Sequence, residues 1–417
     1  MTFGEKLRAL RKSKGLTVQE TAIRLGVDKS YISQLEHSKG KPSERFIKNV
    51  ARVFKADAAE LGILAKRVPK DLQDILYKSP ASATAIVSEE LEIYKHKPAS
   101  RPPKAVKPIY ETALGALYNC DCLDLLGNLQ DSSVDCIFAD PPFNLGKIYG
   151  NKVNDKLEKY DYLGWCYAWL EQCCRVLTPG GSLLIYNLPK WNIHIASYLD
   201  KFLTFRHWIA VDIKFTLPIP KRLYPSHYSL LYFVKGPLLK TFHPSRLPME
   251  TCRHCGGEIK DYGGYKDKMN PNGINLTDVW YDIPPVRHSK FKTRQANELS
   301  MKLLDRVLDL ATNEGDLVLD PFGGSGTTFI VSEIKGRRWI GSEMEDCSPI
   351  IGRFKKIEEQ KKNLEMMRKD LNRLFSEESL RLRKKFGHTT DKYRTTDGRP
   401  NGADRQTSIF DLLNAAK

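Results

Sequence analysis

Asp140-Pro141-Pro142-Phe143 follows a largely apolar run, Val134 to Ala139, that reads as a buried strand. Asp140 falls where that strand meets its loop, and open parallel sheets bind ligands at the carboxyl ends of their strands. Two successive prolines fix φ and remove two backbone donors, which leaves the local carbonyls as acceptors beside a carboxylate and an aromatic ring. Such a set suits a planar ring bearing an exocyclic amine. The carboxylate and a carbonyl accept its two N–H bonds, and Phe143 stacks on the ring face. A second stretch runs from a buried strand into Asp320-Pro321-Phe322-Gly323-Gly324-Ser325-Gly326-Thr327. A helix from Phe329 to Lys335 and a further strand, Arg338 to Glu343, follow it. Glycines let the backbone approach a cofactor closely, and an acid about 20 residues on can bind a ribose diol. Glu343 stands 20 residues after Gly323. No Gly-Lys-Ser/Thr follows the loop, so a nucleoside without an essential pyrophosphate cradle is preferred.

Taken together, the two stretches resemble the exocyclic-amino DNA methyltransferases that use S-adenosylmethionine. The amine motif precedes the glycine loop by 180 residues, an order similar to the permuted beta group, in which the target-recognition region lies between the motifs. The resemblance implies an α/β, Rossmann-like methyltransferase fold with Asp140, Pro141, Pro142 and Phe143 as the catalytic set. It implies cofactor binding by Asp320 to Thr327 and by Glu343. Asn119-Cys120-Asp121 resembles the strand end beside the cofactor adenine, with Asp121 as the contact. Gly180 to Asn187 resembles the next sheet strand. His288-Ser-Lys-Phe-Lys292 resembles a segment that usually reads His-Pro-Thr-Gln-Lys-Pro, which puts Lys292 near the cofactor carboxylate; here Ser289 and Thr293 replace the prolines. An Asp at the head of the amine motif resembles the adenine-N6 members more than the cytosine-N4 members. The expected activity is therefore sequence-specific adenine-N6 methylation of double-stranded DNA, as in restriction–modification or epigenetic marking, with cytosine N4 as the alternative. The target base must leave the duplex to be reached.

The chain that positions these residues has 417 of them, 41% hydrophobic and 28% charged, with a net charge of +16. That length suggests two or three domains, and that charge favours nucleic acid as partner. Residues 1–107 carry 22 Lys/Arg against 12 Asp/Glu, residues 108–352 carry 27 against 28, and residues 353–417 carry 17 against 10. The positive excess thus flanks a nearly neutral middle. No run of about 18 apolar residues suggests a membrane span. The N-terminus has no signal-peptide core, and nine scattered cysteines suit a reducing cytosol. A cytoplasmic, nucleoid-associated bacterial enzyme is expected.

Residues 1–66 read as short helices. Thr17 and Glu20 form a capping box, Gly26 supplies a tight turn, and Asp28 caps a helix over about Lys29 to His37 with Ile32 and Leu35 inward. The order Thr17 to Ala22, Leu25 to Asp28 and Ser30 to Glu36 resembles the phage-repressor/Cro-like helix-turn-helix family, whose second helix enters the major groove. By that resemblance Lys29, Ser30, Tyr31, Ser33 and Gln34 face the groove, while Gln19 and Lys39 approach phosphates. Residues 67–108 read as a helical segment and a Pro/Lys-rich linker. The catalytic domain then spans 109–352, with a target-recognition region at about 188–287.

Within that region Cys252-Arg-His-Cys255 looks like one knuckle of a zinc ribbon, or two free thiols in a turn. A tetrahedral site needs four ligands and no second Cys pair follows, so His243, His254 or His288 could complete it only with favourable folding. Residues 353–417 read as a helix with a heptad-like stripe of Ile357, Leu364, Met367, Leu371 and Leu374, then a disordered tail. Gln406 to Phe410 resembles the short peptide by which bacterial DNA enzymes bind the replication sliding clamp. A cognate restriction endonuclease is a further expected partner. A regulator with a non-catalytic methylase-like half would need no amine pocket, and an RNA substrate would not admit a helix into its major groove.

Overall fold

The computed structural model describes residues 2–67, 73, 78, 80–99, 101–146, 148–149, 153–154, 156–213, 221, 223, 225–243, 246–247, 274–283 and 298–369. The chain divides into two compact units, Met1–Glu92 and Ile93–Lys417. The division falls inside the stretch read as helix and linker, near the end of a helix, Pro80–Lys95. Among the described residues no helix is long and apolar enough to cross a membrane.

Among its described residues the first unit has, ahead of Pro80–Lys95, the short helices α1 (Phe3–Ser13), α2 (Val18–Leu25), α3 (Lys29–Glu36), α4 (Glu44–Phe54) and α5 (Ala58–Leu64). Thr17 and Glu20 make the expected capping box, and Thr2 with Glu5 makes a second one on α1. Asp28 stands at the N-cap of α3 without accepting a cap hydrogen bond. Leu7, Ala22, Leu25, Ile32, Leu35, Phe46 and Val50 form the core. A Cβ on Gly4 would lie 2.0 Å from the Leu35 carbonyl, so only glycine lets α1 cross α3 this closely. Beneath that crossing Arg11 pairs with buried Glu36 through two hydrogen bonds of 2.6 and 2.8 Å.

The second unit is built on a nine-stranded mixed sheet. In chain order its strands are β1 (Pro108–Glu111), β2 (Gly115–Asn119), β3 (Val134–Ala139), β4 (Leu177–Asn187), β5 (Thr204–Asp212), β6 (His227–Val234), β7 (Val279–Trp280), β8 (Leu317–Asp320) and β9 (Arg338–Glu343). Their spatial order is β1-β2-β9-β8-β3-β4-β6-β5-β7. The five strands from β2 to β4 are mutually parallel, and β6 and β1 pair antiparallel at either side of them. Side chains of β3 alternate between two cores: Cys136 and Phe138 face one, Ile137 and Ala139 the other. A strand buried on both faces must be apolar nearly throughout, which is why 134–139 is legible as one.

With the helix Pro80–Lys95 counted as α6, those on one face are α7 (Cys122–Asn128), α8 (Lys159–Val176) and α9 (Pro189–Leu199). On the other face lie α10 (Met301–Ala311), α11 (Thr327–Ile334), α12 (Ser348–Phe354) and α13 (Ile357–Lys369). The helix expected from residue 353 onward is interrupted by a turn at Lys355 and Lys356 and resumes as α13. Leu364 is buried in the same core and Ile357 and Met367 pack against it, so these three residues of the stripe serve the fold of their own unit; Leu371 and Leu374 lie outside the described residues. Two short two-stranded ladders, 148–149 with 153–154 and 246–247 with 274–275, stand apart from the sheet.

One ion cluster anchors β7 to the helical layer. Arg306 on α10 grips Asp282 with two hydrogen bonds of 2.8 and 2.6 Å, and Lys302 approaches the same carboxylate at 2.8 Å. The Arg306 guanidinium also lies 5.1 Å from the centroid of the Trp280 ring.

Candidate active site

The parallel strands end along one edge, and the chemistry-bearing residues gather there. Asp121 follows β2, Glu343 ends β9, Asp320 ends β8, Asp140 follows β3 and Asn187 ends β4. β8 pairs directly with β3, Val318 opposite Cys136 and Leu319 opposite Ile137. Two motifs far apart in the chain thereby leave the sheet side by side.

At the end of β3, Asp140 is half-buried and its Oδ1 atom is fully buried. Pro141 is buried and Phe143 half-buried. The Phe143 ring lies 5.3 Å from Tyr228 and 6.2 Å from Tyr186, and those two tyrosines lie 5.2 Å apart. Burial, and then the nearby charge of Asp140, push the Tyr186 phenol far up, so it stays a neutral hydroxyl. Tyr228 lies on β6, an interior strand of the sheet, with its ring against Phe143. Tyr162, Trp191 and Asn187 also reach this loop, through bonds to its carbonyls or to each other. None of the three was singled out for such a role.

The glycine loop after β8 is held from three sides. Ser342 Oγ donates to the Pro321 carbonyl and Gly323 N donates to the Ser342 carbonyl, both to β9. Gly326 has φ +77°, and a Cβ there would lie 2.6 Å from Ile350, so the turn into α11 requires glycine. Arg353, buried on α12, donates to the Ser325 carbonyl and the Thr327 hydroxyl at 2.9 Å each. Phe322 packs edge-on against Trp169 with centroids 5.1 Å apart. Glu343 accepts from Gly324 N at 2.6 Å and so braces the glycine loop, while Asp121 accepts from Leu123 N at 2.8 Å and braces its own turn. A carboxylate oxygen has a second lone pair, which leaves both able to accept further.

Asp320 is 1% exposed and accepts from Phe322 N at 2.9 Å and Thr328 Oγ1 at 2.5 Å. Burial, reinforced by the Glu343 charge, pushes it up to about 7 against those two hydrogen bonds. A carboxyl raised on folding stabilises the fold most below its unfolded value near 4, and that contribution is lost as pH rises through the folded value. Asp320→Asn has no such loss. The melting temperature of wild type relative to Asp320→Asn should therefore fall between about pH 4 and pH 7, measured by calorimetry. A constant difference across that range would show that Asp320 stays ionised.

In the first unit Gln19, Lys29, Ser30, Gln34 and Lys39 are exposed. Tyr31 and Ser33 are half-buried, and the Tyr31 ring meets Phe46 edge-on at 5.2 Å. Residues 2–62 match the family described as helix-turn-helix domain. Residues 134–348, which contain both strand-end motifs, match the family described as DNA methylase. The type II methyltransferase M.BamHI of Bacillus amyloliquefaciens is 50% identical to this chain over 346 residues, 83% of this chain and 81% of that protein. The chain belongs to the DNA methylase family.

The type II methyltransferase M.HpaI of Haemophilus parainfluenzae is 32% identical to this methylase, over 54% of its chain and 68% of the relative. The DNA adenine methyltransferase YhdJ of Escherichia coli K12 is 31% identical, over 54% and 76%. Expectations placed on Lys292, on Cys252 and Cys255, and on Gln406 to Phe410 of the methylase lie outside the described residues. So does much of the 188–287 region between residues 214 and 273. Among the described residues no group of three or more His, Cys, Asp or Glu could hold a metal ion.

Proposed function

We propose that this methylase moves a methyl group from S-adenosylmethionine to the exocyclic amine of a base flipped out of double-stranded DNA, at a specific sequence, as in type II restriction–modification. The observation that carries the reading is the direct pairing of β3 with β8, which sets Asp140-Pro-Pro-Phe143 beside the glycine loop. The donor set fits a nucleoside cofactor: Asp121 and Glu343 flank the loop at the ends of β2 and β9 and can take an adenine amine and a ribose diol. Bound there, the cofactor supplies a sulfonium methyl that is already an activated electrophile. The chain's own residues therefore chiefly position the amine. Asp140 and the Pro141 carbonyl accept its two N–H bonds, which aims the nitrogen lone pair and stabilises the positive charge that develops there. Phe143 stacks on the extruded ring and offsets part of the few kcal/mol of flipping.

The Asp at the head of the motif favours adenine N6, although the same carboxylate and carbonyl could accept from cytosine N4. Expression of wild type in a methylation-free bacterial host, followed by genome-wide mapping of modified bases, reads the base directly. A sequence-specific N6-methyladenine mark is the expected result. An N4-methylcytosine mark would replace the base assignment, and no DNA mark would remove the function.

The helix-turn-helix module fits a second duplex, through exposed Lys29, Ser30 and Gln34 toward the groove and Gln19 and Lys39 toward phosphates. Repression of the methylase's own operon is the role we favour for it. Gln34→Ala should weaken binding to the promoter fragment in a mobility-shift assay while the methylated sequence stays the same; a changed methylation pattern would assign the module to target reading. Zinc at Cys252 and Cys255, a sliding-clamp contact through Gln406 to Phe410 and a cognate endonuclease rest on the sequence alone. Metal analysis of the purified chain and clamp pull-down with Phe410→Ala test the first two.

A further inference from the structure

A buried set of polar side chains holds the amine-motif loop from the layer of α8 and α9. Tyr162, 1% exposed, donates its hydroxyl to the Pro142 carbonyl at 2.7 Å. Asn187 donates Nδ2 to that same hydroxyl at 3.1 Å and takes the Leu188 N–H on its Oδ1 at 2.7 Å. Trp191 donates Nε1 to the Phe143 carbonyl at 2.8 Å. The Tyr162 and Trp191 rings lie 4.5 Å apart, and Ser229 on β6 donates to the Asn187 carbonyl at 3.1 Å.

A loop with two prolines in succession cannot hold its own shape through backbone N–H groups at those positions, so donors must come from elsewhere. Two of its carbonyls are taken by Tyr162 and Trp191. Among the described residues no donor reaches the carbonyl of Pro141. Because Tyr162 accepts one hydrogen bond while donating another, the chain of bonds from Asn187 to Pro142 is also mutually polarised.

We infer that Tyr162 and Trp191 are positioning residues for the transfer: by occupying the Pro142 and Phe143 carbonyls they leave the Pro141 carbonyl to act with the Asp140 carboxylate on one amine. The inference rests on the amine chemistry proposed above. Neither side chain is assigned a contact with the base; each acts through the loop. A misplacement of about 1 Å in a near-attack geometry can slow a reaction about 10²-fold, so the ties should govern rate more than affinity.

Tyr162→Phe and Trp191→Phe each delete one donor and keep a ring in place. Both are tested in the full chain with S-adenosylmethionine and a duplex carrying the site mapped for wild type. Single-turnover rates at saturation should fall about 10- to 100-fold, while dissociation constants for cofactor and duplex change less than about threefold. A merely structural role would lower the melting temperature without moving the saturated rate at a temperature well below melting. A rate within about twofold of wild type, or a loss confined to the dissociation constants, would overturn the inference. If Tyr162→Phe does not fold, Trp191→Phe carries the same test. A wild-type chain that methylates no exocyclic amine would instead overturn the proposed function, so the two failures are distinguishable.

Discussion

Asp140→Asn should lower the single-turnover rate of methyl transfer by about 10²- to 10³-fold, the usual effect of removing one preorganised electrostatic partner of a developing charge. The substitution keeps the size and planarity of the side chain but removes its charge, and it leaves one neutral, weaker acceptor oxygen beside an N–H₂ donor. Phe143, Tyr186 and Tyr228 pack on one another independently of that charge, so the aromatic wall should persist. Cofactor affinity should persist too, since the residues assigned to the cofactor follow other strands. Transfer of labelled methyl groups to a short duplex, with cofactor binding measured by calorimetry on the same preparation, checks both halves. A rate within tenfold of wild type would mean that the charge of Asp140 is not used.

The second large effect concerns stability. Asp282→Ala would remove the carboxylate that faces Lys302 and Arg306, whose side chains are only 9% and 8% exposed. Breaking a buried pair from one side costs about 3–5 kcal/mol, because the remaining charges stay desolvated. For a unit of this size that corresponds to a fall of about 4–8 °C in melting temperature. Burial opposes ionisation of Asp282, but Arg306 and Lys302 outweigh it and hold its carboxyl far below the ordinary range. A carboxyl lowered on folding stabilises the fold above its unfolded value and loses that contribution as pH falls toward the folded value. Wild type should therefore lose stability steeply below about pH 4, and Asp282→Asn should flatten that acid limb. Denaturant titrations at pH 3 and pH 7 measure the difference; equal slopes for the two proteins would refute the assignment.

The local elements of this protein are legible in its sequence and its long-range bracing is not. The apolar run before Asp140 marks a strand because both faces of β3 are buried, and Thr17 with Glu20 marks a helix start because a capping box is complete within four residues. Tyr162 and Trp191 carry no comparable mark. Their bonds reach back 20 and 48 residues to backbone carbonyls, and a donor to a carbonyl demands no particular residue type at the accepting end. Arg353 was likewise hidden: a cation on a Lys- and Arg-rich segment reads as solvated, yet this one is buried under the glycine loop. Glu343 was legible as an acid at a strand end, but its bond to Gly324 became visible only once β9 lay beside β8. Patterns confined to one element survive in sequence; pairings set by the sheet do not.

The order of strands also sets a clock on synthesis. Asn119 ends β2 and stands opposite Glu343, which is 224 residues further along the chain. At the elongation rates of about 5–20 residues per second, roughly 10–45 s separate the emergence of the two halves. During that interval β2 has no parallel neighbour to close against, and β3 lacks β8 on one side. Such high contact order slows folding and leaves strand edges open to chaperones or to other nascent chains. A chain halted short of Glu343 cannot be a weak enzyme; it is an incomplete sheet. Marking of DNA by newly made protein should accordingly begin after a lag that lengthens when translation is slowed, rather than rising in proportion to the length of chain already made.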